Sequence, residues 1–261
     1  MYQETWRLIP ALTLPGPLQM AIDDWLLDQL VAGLHPPVLR FYRWQRAALS
    51  LGYHQRQRSP HWETITWQGQ RLDLVRRPTG GRAVLHQGDF TYAIALPLQN
   101  RRRQAIYQLI CDALIAAWQD MGVPLHYGNA GRGYHQQASC FALATPADLV
   151  TETGYKLIGS AQLRRDHSLL QQGTMRLWPS KELHQAVFKN PLDTSHRPDA
   201  MPKEPSENWS KRLEATIIQM LSQQLDVTFQ VAPLTPAEMS QIQARCDRFR
   251  IPSETSPKPV A

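Results

Sequence analysis

Cysteine is scarce in this 261-residue chain: there are three, at positions 111, 140 and 246. They form no CxxC pair and no metal-ligand spacing, and an odd count argues against a disulfide framework, so a reducing, cytoplasmic setting is expected. No apolar run reaches the roughly eighteen residues of a membrane span. The opening MYQETWRLIP lacks the basic region and apolar stretch of a secretory signal. No GK[ST] follows any glycine-rich run, which excludes a Walker phosphate loop. Basic residues are dispersed apart from Arg101, Arg102 and Arg103. That cluster reads as a solvated face, and without a recognisable reading module no nucleic-acid partner is expected.

What is present suits one large folded unit. Hydrophobic residues make up 43% and charged residues 19%, with a net charge of +6, which permits an acidic partner. The spacing of Leu18, Ile22, Trp25, Leu26 and Leu30 predicts a helix over 18–31. Strands are expected over 38–44, 48–55, 71–78 and 90–97, the last two flanking a glycine-rich turn. An unbroken apolar stripe from Ile106 to Met121 predicts the clearest helix, and a loop is expected over 128–138. A hairpin turning at Thr153-Gly154 spans 148–165, and a strand follows over 168–178. A proline-rich connector (189–208) leads to a helix (209–224) and a short strand, VTFQV. Thr235-Pro236-Ala237-Glu238 is a capping box opening a last helix with the stripe Met239, Ile242, Cys246 and Phe249. The tail after Pro252 is expected to be disordered. Strands and helices mix without βαβ regularity, so the expected class is α+β.

Two stretches are candidates for chemistry. Cys246 and Cys111 fall on or beside helical stripes, as small core hydrophobes do. Cys140 instead ends a glycine-rich loop, where it is either an inert thiol or a nucleophile. In the strand YKLIGSAQLR, alternation puts Tyr155, Leu157, Gly159, Ala161 and Leu163 on a side suited to packing. Lys156, Ile158, Ser160, Gln162 and Arg164 share the other side, which fits a pocket or a solvated edge. In VRRPTGGRAVLH (75–86), adjacent glycines allow either a ligand-cradling loop or a Gly-Gly hairpin turn. His86 is either a general base or a hydrogen-bonded structural histidine.

RRPTGGRAVLHQGDFTYAI resembles the RRxxGGxxVxH signature of the lipoate and biotin protein ligase superfamily. ASCFALATPADLVTETGYKLIGSAQLRR followed by LLQQGTM is similar to its LipM-type octanoyltransferase branch. PLQMAIDDWLL and LRFYRWQRAALSLGYHQ resemble the opening helix and first strands of the same family. The likeness covers roughly residues 6–180. It implies a biotin/lipoate-ligase-like fold with a mixed sheet and flanking helices. A catalytic domain is expected over 1–230, and a C-terminal helix and tail over 231–261.

The resemblance also implies a reaction. An octanoyl group passes from acyl carrier protein to an enzyme cysteine, then to a lysine of a lipoyl-domain protein such as the glycine-cleavage H protein. By the same resemblance Cys140 matches the acyl-accepting cysteine and Lys156 the lysine that lowers its pKa. Gly80, Gly81 and His86 match the glycine-rich wall of the acyl pocket, and Arg77 of the same signature joins the substrate-binding candidates. Gly159, Ser160 and Ala161 match the segment where backbone approaches the acyl carbonyl. Thioester exchange is near isoenergetic, so no ATP, metal or redox cofactor is expected. The family is usually monomeric, and a monomer is expected here. An ATP-dependent lipoate ligase, an octanoyl amidotransferase acting from H protein to dehydrogenase subunits, and a non-catalytic binding module are the competing readings.

Overall fold

A computed structural model of the chain describes residues 4–128 and 147–252. Cys140, most of the 128–138 loop and the tail after Pro252 lie outside the described residues. Chain order begins with β1 (Glu4–Leu14), α1 (Gly16–Val31), β2 (Val38–Trp44) and β3 (Ala48–Leu51). Three short strands follow, β4 (Thr66–Trp67), β5 (Gln70–Arg71) and β6 (Asp73–Arg76), then β7 (Val84–His86) and β8 (Asp89–Pro97). Next come α2 (Arg103–Asp120), β9 (Leu125–Tyr127), β10 (Asp148–Thr151), β11 (Lys156–Arg165) and β12 (Ser168–Arg176). The chain continues through α3 (Lys181–Phe188), α4 (Glu207–Leu225), β13 (Val227–Val231) and α5 (Pro236–Gln243).

Eight strands form one mixed sheet in the order β13-β1-β2-β8-β12-β11-β10-β9. The β1 pairings with β13 and β2 are parallel, and the remaining neighbours run antiparallel. Period-two alternation divides the apolar residues between its two faces. Phe90, Tyr92, Ile94 and Leu96 of β8 face α2 and α4, sharing a core with Ile110, Leu114, Trp118, Leu213 and Ile217. Ala93 and Ala95 face the other way, into a core with Met20, Ile22 and Trp25 of α1. Ile242 of α5 and Phe249, in a 3₁₀ turn over Cys246–Phe249, belong to that second core. The architecture is α+β, as the mixed pattern predicted.

A smaller sheet, β6-β3-β7, and the β4-β5 pair make a lobe over one end of the large sheet. Here the structure decides between the two readings of the glycine pair. β6 and β7 do not form a Gly-Gly hairpin: β3 lies between them, parallel to β6 and antiparallel to β7. The lobe is tied to α1, whose first backbone N–H, at Gly16, donates to Asp73 of β6 at 2.9 Å. A helix start with no cap of its own is thus satisfied from a distant strand.

Strands β1 and β9 and helix α3 are among the elements that escaped the sequence pattern. Pro10 obscures β1, and the β1–β2 ladder absorbs it with a register shift between Ile9 and Leu12. Helix α3 has only eight residues; Ser180 caps it by accepting from the Leu183 N–H. Strand β9 is three residues long. The last helix is also shorter than its stripe: α5 stops at Gln243, and Cys246 and Phe249 sit in the tighter 3₁₀ turn. Its capping box is formed, with Thr235 and Glu238 bonding reciprocally.

Candidate active site

Where the small lobe meets the large sheet, a cleft opens. One wall comes from the lobe: Ser50, Arg77, Thr79, Gly81, Val84 and His86. The opposite wall comes from β10–β12: Asp148, Gly159, Ser160, Ala161, Gln172 and Thr174. Met20, Tyr42 and Trp44 close it from α1 and β2. Six of the predicted site residues, Arg77, Gly81, His86, Gly159, Ser160 and Ala161, therefore meet around one space. The sequence separated them into two stretches, and sheet topology brings them together.

The glycine-rich loop is held by Arg77. Its guanidinium donates to the Gly80 carbonyl (2.7 Å), the Arg82 carbonyl (2.7 Å) and the Ser50 carbonyl (2.8 Å). Arg77 is therefore the clasp of this loop, and Gly80 takes part through its carbonyl. Gly81 has φ +96°, and a Cβ there would stand 2.7 Å from the Arg77 Nη2. Only glycine meets both demands without strain. Gly52 faces the same spot, where a Cβ would come 1.9 Å from the Gly81 carbonyl oxygen.

His86 is the centre of a buried chain of hydrogen bonds. Its Nδ1 lies 2.7 Å from Asp89 Oδ2, and its Nε2 lies 2.8 Å from Ser50 Oγ. The Trp44 ring stacks on the imidazole at 3.8 Å. Burial lowers the His86 pKa, against the opposing pull of Asp89 and with help from the Arg77 charge. The ring is thus neutral at physiological pH. Ser50 and Asp89 were not singled out in the sequence; the HQGD spacing, which puts Asp89 three residues after His86, is the one local signal of the second.

Beneath the cleft, Thr79 Oγ1 donates to Gln172 Oε1 at 2.7 Å, and the Gln172 amide donates to Asp23 Oδ2 at 2.5 Å. Asp23 also accepts from the Tyr42 hydroxyl at 2.9 Å and pairs with Arg40 at 2.5 Å. Asp23 and Arg40 are wholly buried. Burial raises the Asp23 pKa, and Arg40 and the hydrogen bonds offset part of that. Loop, sheet and α1 are linked through this network, so the lobe wall has a fixed height above the sheet.

On the β11 wall the structure alters the predicted faces. Gly159 and Ala161 pair with Thr174 and Gln172 of β12, and these four line the cleft. Ser160 borders the cleft, but its hydroxyl bonds the Tyr92 hydroxyl (2.9 Å) on the α2 side of the sheet. The side carrying Gly159 and Ala161, expected to pack, is the one the cleft uses. A register shift in the β10–β11 pairing, between Leu149 and Val150, explains why strict alternation fails near Lys156. Lys156 Nζ lies 2.9 Å from Asp148 Oδ2, and both side chains are 4% exposed. Asp148 lines the cleft beside its register partner Gly159, so Lys156 stands directly behind the wall.

The other two cysteines are placed as expected. Cys111 is buried in the α2 core, where burial pushes its thiol up to about 12. Cys246 is half-buried in the 3₁₀ turn that follows α5, and burial raises its pKa as well. Neither is poised as a thiolate. Among the described residues, no group of three His, Cys, Asp or Glu side chains is arranged to hold a metal ion. No described helix is long and apolar enough to cross a membrane.

Comparison with known proteins gives a consistent result. Residues 15–230 match the model of the lipoyl protein ligase A/B catalytic domain. A protein of Moorella thermoacetica named octanoyltransferase LipM is 36% identical over 201 residues, covering 74% of this chain and 72% of that protein. One of the same name from Carboxydothermus hydrogenoformans is 37% identical over 178 residues, or 66% and 65% of the two chains. Among solved structures, lipoate-protein ligase A bound with ATP superposes with a TM-score of 0.72 at 18% identity, over 95% of each chain. A bi-partite lipoate protein ligase from Thermoplasma acidophilum, studied with its E2 lipoyl domain, gives 0.68 at 18% identity, over 95% of this chain and 93% of that one. At such identity the structural matches speak for the fold.

Proposed function

The chain belongs to the lipoyl protein ligase A/B catalytic-domain family, and on that premise we propose that it is an octanoyltransferase of protein lipoylation. It is an acyltransferase, as its LipM relatives are named. The donor is octanoyl-acyl carrier protein, the first acceptor is the Cys140 sulfur, and the final acceptor is a lysine of a lipoyl-domain protein such as the glycine-cleavage H protein. The enzyme works as a cytoplasmic monomer, and residues 1–230 are its catalytic unit, with 231–261 added at the C-terminus. The observation that carries the reading is the single cleft joining the Thr79–Arg82 loop and His86 to Asp148 and Gly159–Ala161. Its mixed polar and apolar lining suits an acyl chain ending in a reactive carbonyl.

The chemistry follows from charge. An ordinary cysteine, with pKa about 8.5, is only ~3% thiolate at neutral pH, and lowering the pKa to about 7 raises that roughly fifteenfold. The Lys156 ammonium, oriented by Asp148 at 2.9 Å, supplies the favourable charge. The thiolate attacks the carrier thioester, the carrier thiol leaves, and the acyl group stays on Cys140 as a thioester of similar energy. Lipoyl domains and acyl carrier proteins are acidic as families, and the +6 charge steers them.

Intact-mass measurement tests this reading. The protein is mixed with octanoyl-acyl carrier protein without ATP, beside Cys140→Ala. An octanoyl adduct on the wild type alone, removed by hydroxylamine, is the expected result. No adduct, with lipoyl-domain modification appearing when ATP and free octanoate are supplied, overturns it in favour of the ligase reading.

A further inference from the structure

The second half of the reaction needs a group to take a proton. The ordinary pKa of an acceptor lysine is about 10.4, so it arrives protonated, and its nitrogen must shed a proton again once it has attacked the carbonyl. Among the described residues that line the cleft, Asp148 is ion-paired with Lys156 at 2.9 Å. Asp23, below the floor, already accepts from Arg40, Tyr42 and Gln172. His86 is different, because its neutral ring keeps a basic nitrogen, Nε2, turned to Ser50 in the cleft wall.

We propose that Ser50, His86 and Asp89 form a proton relay that deprotonates the acceptor amine during acyl transfer, a role that rests on the transferase reading above. The three atoms stand in line: Asp89 Oδ2 to His86 Nδ1 at 2.7 Å, then His86 Nε2 to Ser50 Oγ at 2.8 Å. The Asp89 carboxylate accepts the Nδ1–H, which fixes the tautomer and leaves Nε2 to accept the Ser50 hydroxyl proton. The Ser50 oxygen then presents lone pairs. One receives Arg77 Nη1 at 3.2 Å, and the other is free to accept from an amine in the cleft.

The step balances. The acceptor ammonium gives one proton to Ser50 Oγ as the Ser50 proton passes to His86 Nε2. The neutral amine nitrogen then bonds to the thioester carbonyl carbon, and negative charge moves to the carbonyl oxygen. The tetrahedral species collapses, the C–S bond breaks, and the thiolate leaves with the electron pair and takes the second N–H proton of the attacking nitrogen. The proton held on His86 passes back through Ser50 to solvent. Asp89 acts as a positioning residue, holding the ring and facing the imidazolium while it exists. The charged groups that bear on His86 are Asp89 of β8 and Arg77 of the glycine loop. Arg43, Arg46 and Arg71 border the far side of the Trp44–His86 wall.

The test separates the half-reactions. Ser50→Ala and His86→Gln are loaded with octanoyl from octanoyl-acyl carrier protein, then chased with a lipoyl domain or with hydroxylamine. Hydroxylamine is already neutral at pH 7 and needs no relay. Transfer to lysine slowed roughly 100-fold, the usual contribution of a general base, with hydroxylamine release at the wild-type rate, is the expected result. Equal losses with both nucleophiles, or no loss with either, overturn the relay. Asp89→Asn gives a second readout that mere structural support would not move. The acid limb of the transfer rate against pH shifts to lower pH, since the carboxylate raises the His86 pKa; an unmoved limb overturns the role of Asp89. Should the wild type form no adduct at all, the acyl-enzyme reading fails, and the relay is still judged by the Ser50→Ala rate of direct transfer from donor thioester to lysine.

Discussion

Two basic side chains stand at opposite walls of the cleft, each against a carboxylate, and geometry makes them look alike. Lys156 and Asp148 are 2.9 Å apart with side chains 4% exposed. His86 and Asp89 are 2.7 Å apart and also 4% exposed. They are chemically opposite. A lysine ammonium carries three N–H donors and no lone pair, so beside a carboxylate it acts as a charge. Imidazole titrates near 6.5, and burial pushes it lower, so it stays neutral with a lone pair to offer. The same burial and the same partner type therefore make an electrostatic element at one wall and a proton acceptor at the other. One suits a thiolate and the other an ammonium.

Breaking the first pair is expected to have the larger effect. Lys156→Met removes the ammonium facing the buried Asp148 carboxylate and costs about 3–5 kcal/mol of stability, as breaking a buried ion pair does. Urea unfolding would measure it. Lys156→Met combined with Asp148→Asn removes both charges and is expected to recover much of that loss. A double variant as unstable as the single one would mean that the two do not act as a pair. At the level of activity, the single variant forms its octanoyl adduct more slowly, by about the fifteenfold change in thiolate fraction.

A smaller effect is expected in the loop that carries the second pair. Gly81→Ala places a methyl group 2.7 Å from the Arg77 Nη2 at a backbone φ of +96°. A cost of about 1–3 kcal/mol follows from the strain. The displaced Arg77 would also loosen its hold on Ser50. Thermal unfolding reads the first consequence and the lysine-transfer rate the second. An unchanged transition would show that the loop relaxes freely, contrary to its many carbonyl bonds.

The smallest effect is a pH dependence. The folded His86 pKa lies below the unfolded value of about 6.5, so the unfolded chain binds more protons in the window beneath it. The stability from His86 is therefore complete above pH 6.5 and is lost as pH falls through the folded pKa. His86→Gln is expected to flatten unfolding free energy against pH in that window, measured at constant ionic strength. An unaltered slope would place the acid sensitivity elsewhere.

How far the site could be read from the chain depended on the range of the interactions. The glycine pair, His86 and Lys156 were legible because each sits in a local motif of a few residues. Helix α2 and strand β8 were legible because their apolar periods are unbroken. The face of β11 was misread because a register shift sits just before Gly159, and a shift of one residue exchanges the two sides of a strand. The hairpin and cradle readings of the glycine pair could not be told apart because nothing local says that β3, more than twenty residues earlier in the chain, will insert between β6 and β7. Ser50 went unnoticed for the same reason, since its partner His86 is 36 residues away.

By itself the sequence determined the α+β class, the main helices and the residue types that make acyl chemistry possible, because propensity and periodicity act over neighbouring residues. Only the tertiary structure decided which of those residues meet. Strand order put the glycine loop opposite Gly159, and hydrogen-bond register aimed Ser50 at His86. Burial then set the imidazole neutral, and none of these is a property of a short stretch of chain.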